Sequence, residues 1–503
     1  MTSGEPAGAD ETRLYEIWGE IADLEAATEL LEWDQETFMP AAGQEGRGKL
    51  LGTVAALIHR RLTSPELADV LARCAERARP GSLLAAQVAR ARHAVGRAVR
   101  VPESLSRAIA EAASAGVVAW KRAREAADFE LFAPALRRLL DLRRQQAAAI
   151  GDGGPPYDAM LDGYEPGATE AQLTPLFDQL RRTLTPRVRA VVESGKTIDE
   201  SPACGHFPAA AQEAFVRRVA AGIGFRFEAG RLDPATHPFC VGLNPGDVRL
   251  TWRLVEDDFR PALFGVLHEA GHGLYEQGLP AASSRTPIGA IASLGLHESQ
   301  SRLWENHVGR SLGFWRWVLP TFRDHFPAAP RFTAAELWPA LHTVKPSLIR
   351  VDADETTYNL HVVVRFELER ALFAGELEVG DLPAAWDDLY QELLGIRPEN
   401  VADGVLQDIH WSQGMFGYFP TYTLGTVIAA QLIAAAERQL GHLEELLAAG
   451  EASQLLGWLR RHVHRHGSRF EAAELVVRAT GKPLAADDLL RYLDETIERA
   501  YGA

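Results

Sequence analysis

The sequence predicts a mainly α-helical protein with one small β-sheet in mid-chain. Three observations carry that expectation. Apolar residues recur at helical spacing through long stretches rich in Ala, Arg and Leu, a composition that favours helix. Convincing strand alternation is confined to residues 224–256. The breaks between helical stretches, at Pro80-Gly81, Gly151 to Pro156 and Ser194 to Pro208, lack the length or low complexity of a domain linker.

The elements follow in order. Residues 12–35 read as a helix, with Leu14, Ile17, Trp18, Ile21, Leu24, Ala27, Leu30 and Leu31 on its periodic stripe, and Met39-Pro40 with Gly43 ends it. Further helices are expected near 47–62, 65–79, 83–98, 103–127, 131–150, 170–193 and 209–222. In the strand region Phe225 and Phe227 flank Arg226, and Val248, Leu250, Trp252 and Leu254 alternate with polar residues. After Asp258 the pattern is helical again to the end of the chain. Organisation therefore divides into an N-terminal helical part (1–223), a small sheet (224–256) and a second helical part (257–503).

Composition excludes several classes of protein. Of 503 residues, 47% are hydrophobic and 24% charged, which rules out wholesale disorder and fibrous repeats. The formal net charge is −16, the opposite of a nucleic-acid footprint. Cys74, Cys204 and Cys240 are odd in number and form no CxxC pair, so a reducing compartment is expected and a disulfide framework is not. Met1 to Glu11 is polar and acidic, unlike a secretory leader, and no run of ~18 apolar residues suggests a membrane span. A cytoplasmic location follows as the expectation.

The chemistry concentrates at Phe264-Gly265-Val266-Leu267-His268-Glu269-Ala270-Gly271-His272, an HExxH pattern. Asp257 or Asp258 suits the helix start and Pro261 its first turn, which puts the pattern about two turns inside. Positions i and i+4 share a helix face, so both imidazoles reach one metal ion. Glu269, beside the first ligand, can accept a proton from water without ligating. Chance predicts only about 0.04 such patterns in a chain with 16 His. The plain alternative is an amphipathic helix that happens to carry two His, but the apolar run Leu263 to Leu267 points to a buried helix, where polar groups need partners.

A catalytic zinc needs a third protein ligand and an open position. A third His six residues on is excluded, because position 278 is Gly278. The next helical segment, Ala290 to Leu312, carries Leu296-His297-Glu298-Ser299-Gln300-Ser301, and Glu298 lies 26 residues after His272. The Pro280 to Pro287 loop leaves room for the two helices to run antiparallel. Glu298 is thus the candidate third ligand. His297 points about 100° away from it on a helix and is not expected on the same ion.

With these residues in view, HEAGHGLYEQG followed by HESQSRLWEN resembles the carboxypeptidase Taq family of zinc metallocarboxypeptidases. Ile349-Arg350-Val351-Asp352-Ala353-Asp354 resembles the family's IRxxAD, and Gly404-Val405-Leu406-Gln407-Asp408-Ile409-His410-Trp411 its GxxQDxHW. Trp33-Asp34-Gln35-Glu36-Thr37 and the stretch from Tyr157-Asp158 to Gly167 are also similar. One departure stands out: in Asp247 to Arg253 the family usually has a second Thr where this chain has Trp252.

The resemblance implies a cytoplasmic, dimeric peptidase that removes single residues from peptide C-termini. Its implied fold is similar to angiotensin-converting enzyme and the oligopeptidases, with a deep groove between two helical lobes. Motifs spread from about residue 260 to 425 that serve one ion argue for a single two-lobed unit over 1–503. Within this reading His268, His272 and Glu298 hold zinc, with cobalt or manganese as other ions such a site admits, and Glu269 is the general base. Arg350, with Arg397 as second choice, anchors the substrate's terminal carboxylate by bidentate geometry. His410, Tyr418 and Tyr422, in a stretch similar to the His and Gly-Tyr loop of helical oligopeptidases, are donors for the oxyanion. Asp352, Asp354 and Asp408 are candidates to orient the imidazoles.

Other histidines draw plainer readings. His462, His464 and His466 alternate in a basic stretch and are expected on a solvated face. His237-Pro238-Phe239 lies within the strand region, resembles a family stretch and is a candidate to line the groove. Two competing functions remain: an endo-acting zinc oligopeptidase, which needs no carboxylate anchor, and a helical scaffold with a decayed metal site. The scaffold predicts lost ligands, yet all four HExxH and Glu298 positions are filled.

Overall fold

The computed structural model describes residues 8–151 and 153–502, so the leader reading of the first seven residues lies outside the described residues. Helices dominate, and they form where periodicity and turn chemistry place them. The first runs Ala9–Thr37, followed by Gln44–Leu62, Pro65–Arg77, Leu83–Arg100, Glu103–Ala126, Ala133–Ile150, Glu170–Glu193 and Ala209–Gly222. Local signals set the ends. Ser64 caps Pro65–Arg77 by accepting from the Leu67 amide, and Thr169 with Gln172 forms a reciprocal capping box on Glu170–Glu193. The short helix Pro156–Leu161 was not expected from periodicity; six residues are too few to show a repeat.

The sheet is smaller than the strand territory. It comprises β1 (Gly230–Pro234), β2 (Cys240–Asn244) and β3 (Asp247–Trp252) in the order β1-β3-β2. β1 runs parallel to β3 with Leu232 opposite Leu250, and β2 is antiparallel with Cys240 opposite Leu250. Phe225 lies ahead of the sheet and Phe227 opens a 3-10 turn, so the aromatic alternation there reflects packing, not pairing. Asn244 closes the β2–β3 turn by accepting from the Gly246 amide at 2.8 Å.

The described chain forms two compact units, and both are discontinuous in sequence. The first takes residues up to Val99, Glu200–Trp338 and Leu432–Pro483; the second takes Arg100–Asp199, Pro339–Gln431 and residues from Leu484 onward. The stretches 1–223 and 257–503 are therefore each divided between units. The first unit contains the sheet, an apolar cluster built on Leu14, Ile17, Ile21, Leu67 and Leu71, and an aromatic cluster of Phe207, Phe215, Phe259, Trp315, Phe322 and Phe326. The second buries a larger core, with the helix Tyr358–Ala374 running through it. Among the described residues no helix is long and apolar enough to cross a membrane, and Cys74, Cys204 and Cys240 are free thiols.

Two of the family-like stretches meet in the first unit. Arg249 of β3 is gripped by Asp247 at 3.0 and 2.9 Å, and its guanidinium lies 4.3 Å from the Trp33 ring centre. Arg231 of β1 lies 4.8 Å from the same ring. Two cations on one indole tie the end of the first helix to the sheet. Trp252 is buried opposite Pro234 and leaves this clamp intact. Arg249→Ala is expected to lower the local opening free energy of residues 9–37 by about 1–2 kcal/mol. Hydrogen exchange that quickens across this helix, with the aromatic cluster unchanged, is the expected readout.

Candidate functional site

The HExxH helix spans Arg260–Glu276. Pro261 occupies its first turn, and Asp258 accepts from the Arg260 amide at 2.8 Å, as the sequence signals suggest. Apolar residues on several faces are buried, including Leu263, Phe264, Val266, Leu267, Ala270 and Leu274. The next helix, Leu294–Arg302, starts at Ser293, whose hydroxyl accepts from the Leu296 amide at 3.1 Å. It packs against the HExxH helix at Gly271, where a Cβ would stand 2.5 Å from the Gln300 carbonyl oxygen. Only glycine permits that approach.

The result is a three-residue donor set. His268 Nε2 lies 3.5 Å and His272 Nε2 lies 3.3 Å from Glu298 Oε2. Among the described residues no other group of His, Cys, Asp or Glu converges in this way. The second nitrogen of each ring is also engaged. His268 Nδ1 meets Glu305 Oε2 at 2.8 Å, and His272 Nδ1 lies 3.1 Å from the His297 carbonyl oxygen. A carbonyl can only accept, so His272 carries its proton on Nδ1 and turns the Nε2 lone pair toward Glu298. Two imidazoles and one carboxylate suit a divalent ion of intermediate softness, zinc above all, better than magnesium or calcium, which take oxygen ligands.

Burial and close charges shift every titratable group of this donor set. Burial pulls the His268 imidazolium down, yet Glu298 and Glu305 outweigh it and push the group up to about 9. Burial, reinforced by His297, pushes His272 down to about 3. Glu298 sits well below the carboxylate range because Arg302 and both imidazoles overcome its burial. Burial lifts Glu269 to about 7, with Glu298 adding to the effect.

Glu305 escaped the sequence reading. It follows Glu298 by seven residues, two helical turns, which is the signal that would have found it. The helix also widens into a π-helical stretch, Leu303–Val308, that carries Glu305. The roles proposed for Asp352, Asp354 and Asp408 need correction, since Glu305 and the His297 carbonyl hold the two Nδ1 atoms. Asp354 instead receives the amides of Lys345, Thr356 and Thr357, and Asp408 holds arginines. His297 faces away from Glu298 as expected, stacked on His272 at 4.2 Å with Nε2 3.1 Å from Glu276 Oε1. His464 is also corrected: it is fully buried, with Nε2 2.9 Å from Gln300 Oε1, because a 3-10 turn at His464–His466 breaks the helical alternation. His237 is exposed in the loop before β2.

In the second unit IRxxAD and GxxQDxHW come together. Arg350 donates to Asp408 Oδ1 through Nε (3.0 Å) and Nη2 (2.8 Å) and to the Tyr358 hydroxyl at 3.2 Å, and its backbone amide donates to Gln407 Oε1 at 2.9 Å. Arg365 takes the other oxygen, Oδ2, through Nε at 2.7 Å. One carboxylate is thus shared by two buried guanidiniums. His410 Nε2 lies 3.1 Å from the Tyr422 hydroxyl, and the Tyr418 ring is 5.3 Å from both His410 and Tyr422. Burial lowers His410 to about 3, so its ring is neutral. Buried Glu369 receives Trp411 Nε1 and the Tyr157 hydroxyl at 2.7 Å each and the Gly417 amide at 2.9 Å, which pins both ends of the loop between His410 and Tyr418. Arg397 is not part of this cluster. Half-exposed after Gly395, it faces Asp387 and Asp388 at 3.6 and 3.2 Å.

A helical protein with an HExxH helix, a glutamate on the next helix and a carboxylate behind the first histidine has the site of a metal-dependent peptidase. The model of the carboxypeptidase Taq (M32) metallopeptidases matches residues 13–497. Thermostable carboxypeptidase 1 of Thermus thermophilus is 44% identical, with 97% of this chain and 98% of that protein covered. Carboxypeptidase 1 of Bacillus subtilis is 36% identical, with 98% of each covered. The crystal structure of an M32 carboxypeptidase from Deinococcus radiodurans superposes with a TM-score of 0.96 at 41% identity, covering 99% of this chain and 100% of that one. The chain belongs to the carboxypeptidase Taq (M32) family. It is a metallocarboxypeptidase, a peptide hydrolase that depends on a divalent metal.

Glu305→Ala is expected to weaken metal binding by ~10–100-fold, because the His268 ring loses its orienting acceptor. Titration against a competing chelator measures this directly.

Proposed function

We propose that the metal is zinc, held by His268, His272 and Glu298, and that the enzyme releases single residues from peptide C-termini as a cytoplasmic homodimer. The donor set supports zinc, the family resemblance supports the dimer, and the free thiols suit a reducing compartment. When bound, the ion supplies Lewis acidity at the scissile carbonyl and acidifies water.

The remaining steps belong to side chains. Glu269, a buried carboxyl beside His268, takes the proton of the attacking water and returns it to the leaving amine. In the second unit the neutral His410 and the hydroxyls of Tyr418 and Tyr422 serve as donors for the oxyanion. Arg350 binds the terminal carboxylate of the peptide. The observation that carries the exopeptidase reading is the pair of buried guanidiniums, Arg350 and Arg365, that share the single carboxylate of Asp408. A guanidinium that shares its carboxylate partner can take a second carboxylate from the substrate. An endo-acting oligopeptidase has no use for such an anchor, and the family does not favour it.

Glu269→Gln is expected to retain one metal ion per chain and lose ~10²–10⁴-fold in kcat, the usual worth of a general base. Elemental analysis paired with peptide hydrolysis separates the two effects, and wild-type turnover in the variant would remove Glu269 from the role. Arg350→Ala is expected to raise KM for free-carboxylate peptides by ~10–100-fold, the scale of a charged hydrogen bond. Peptides with an amidated C-terminus should respond little. Equal responses in the two series would refute the anchor.

A further inference from the structure

The two oxygens of Glu298 are used differently. Oε2 faces the imidazoles at 3.5 and 3.3 Å and accepts from the Ser301 hydroxyl at 3.0 Å. Oε1 accepts from Arg302 Nε at 2.7 Å. The same guanidinium reaches Glu305 Oε2 through Nη1 at 3.3 Å, and that oxygen is the one 2.8 Å from His268 Nδ1. Glu298, Arg302 and Glu305 are all largely buried, at 8%, 14% and 14% side-chain exposure. Backbone geometry brings the three together. Glu298 and Arg302 are four residues apart on an α-helix, and Glu305 follows from the π-helical stretch that begins directly after Arg302.

From this arrangement we propose that Arg302 is a positioning residue that restricts Glu298 to ligation through Oε2 alone and couples it, through Glu305, to the orientation of His268. The proposal rests on the reading of His268, His272 and Glu298 as ligands and adds a residue outside that set. Its physical basis is competition for a lone pair. A carboxylate can ligate an ion with one oxygen or two, and a charge-assisted hydrogen bond from the guanidinium engages Oε1, the oxygen that a second metal bond would need. With Oε1 engaged, the site keeps the open position that distinguishes a catalytic zinc site from a structural one. The hydrogen bond from Nε also draws charge from Glu298, which would leave a bound ion a stronger Lewis acid. Because one guanidinium holds both carboxylates, the third ligand and the support of the first move as a unit.

The test uses the full-length protein loaded with Co²⁺, whose visible absorption reports coordination number, together with metal affinity and steady-state kinetics. Arg302→Met keeps the length and removes the donors; Arg302→Lys keeps the charge but not the fork. Arg302→Met is expected to bind one Co²⁺ per chain with weaker absorption bands, as the second carboxylate oxygen joins the ion. Its kcat should fall by ~10–100-fold at saturating metal, the usual cost of losing an outer partner of a metal ligand, with KM changed far less. Arg302→Lys is expected to fall between the two. A cobalt spectrum in Arg302→Met that superposes on wild type overturns the proposal, as does loss of the ion altogether, which would mean a merely structural role. Should Arg302→Met fail to fold, an unaltered cobalt spectrum in Arg302→Lys overturns it equally. A wild-type chain that takes up no Co²⁺ removes the ligand assignment itself, a failure distinct from that of Arg302.

Discussion

Two glycines on the HExxH helix set how closely its neighbours approach, and the candidate metal site depends on that closeness. At Gly271 the missing side chain admits the Gln300 carbonyl and the backbone of Ser301, which brings Glu298 within reach of both imidazoles. At Gly273 it admits the Phe225 and Leu250 side chains from the sheet region. A methyl group at Gly271 would drive the Leu294–Arg302 helix outward against backbone atoms that cannot rotate away. Three donors collected from two helices tolerate little such movement, because metal bonds have defined lengths.

Around that contact the chain arranges a graded set of partners. The imidazoles are oriented by a carboxylate and a carbonyl, and the carboxylates are in turn gripped by Arg302. Burial makes each contact matter: outside water, an unpaired charge is costly and a paired one is held firmly. The same principle operates in the second unit. Asp408 binds two arginines, Gln407 holds the Arg350 backbone, and Glu369 gathers three donors from two separate stretches of chain. The π-helical stretch after Arg302 and the positive φ of Gly417 are the backbone features that allow these convergences.

Much of this was legible in the sequence. Helix boundaries up to residue 222 agree with the structure within a few residues, because Pro, Gly and capping residues mark them locally. His268, Glu269 and His272 were readable from one turn of helix, and Glu298 from the next helix. The β-strands were located but overextended, since Phe225 and Phe227 alternate for reasons of packing. Glu305 goes unread because its partner, His268 Nδ1, lies 37 residues back on another helix. His464 was misread because its burial against Gln300 comes from a segment more than 160 residues away in sequence. Asp408 stands among three candidates to orient the imidazoles, whereas its partners are Arg350 and Arg365, a distinction that motif membership alone cannot make.

By itself, then, the sequence determined the helical class, the candidate metal-binding residues and the absence of a nucleic-acid signature, since each rests on patterns within a turn or two of chain or on composition. Only the tertiary structure decided which groups pair with which. It divided the chain into interleaved units, set Arg397 apart with surface aspartates, and showed Arg302 and Glu305 behind the ligands. Pairing depends on close approach between segments distant in sequence, and no local pattern encodes a distance.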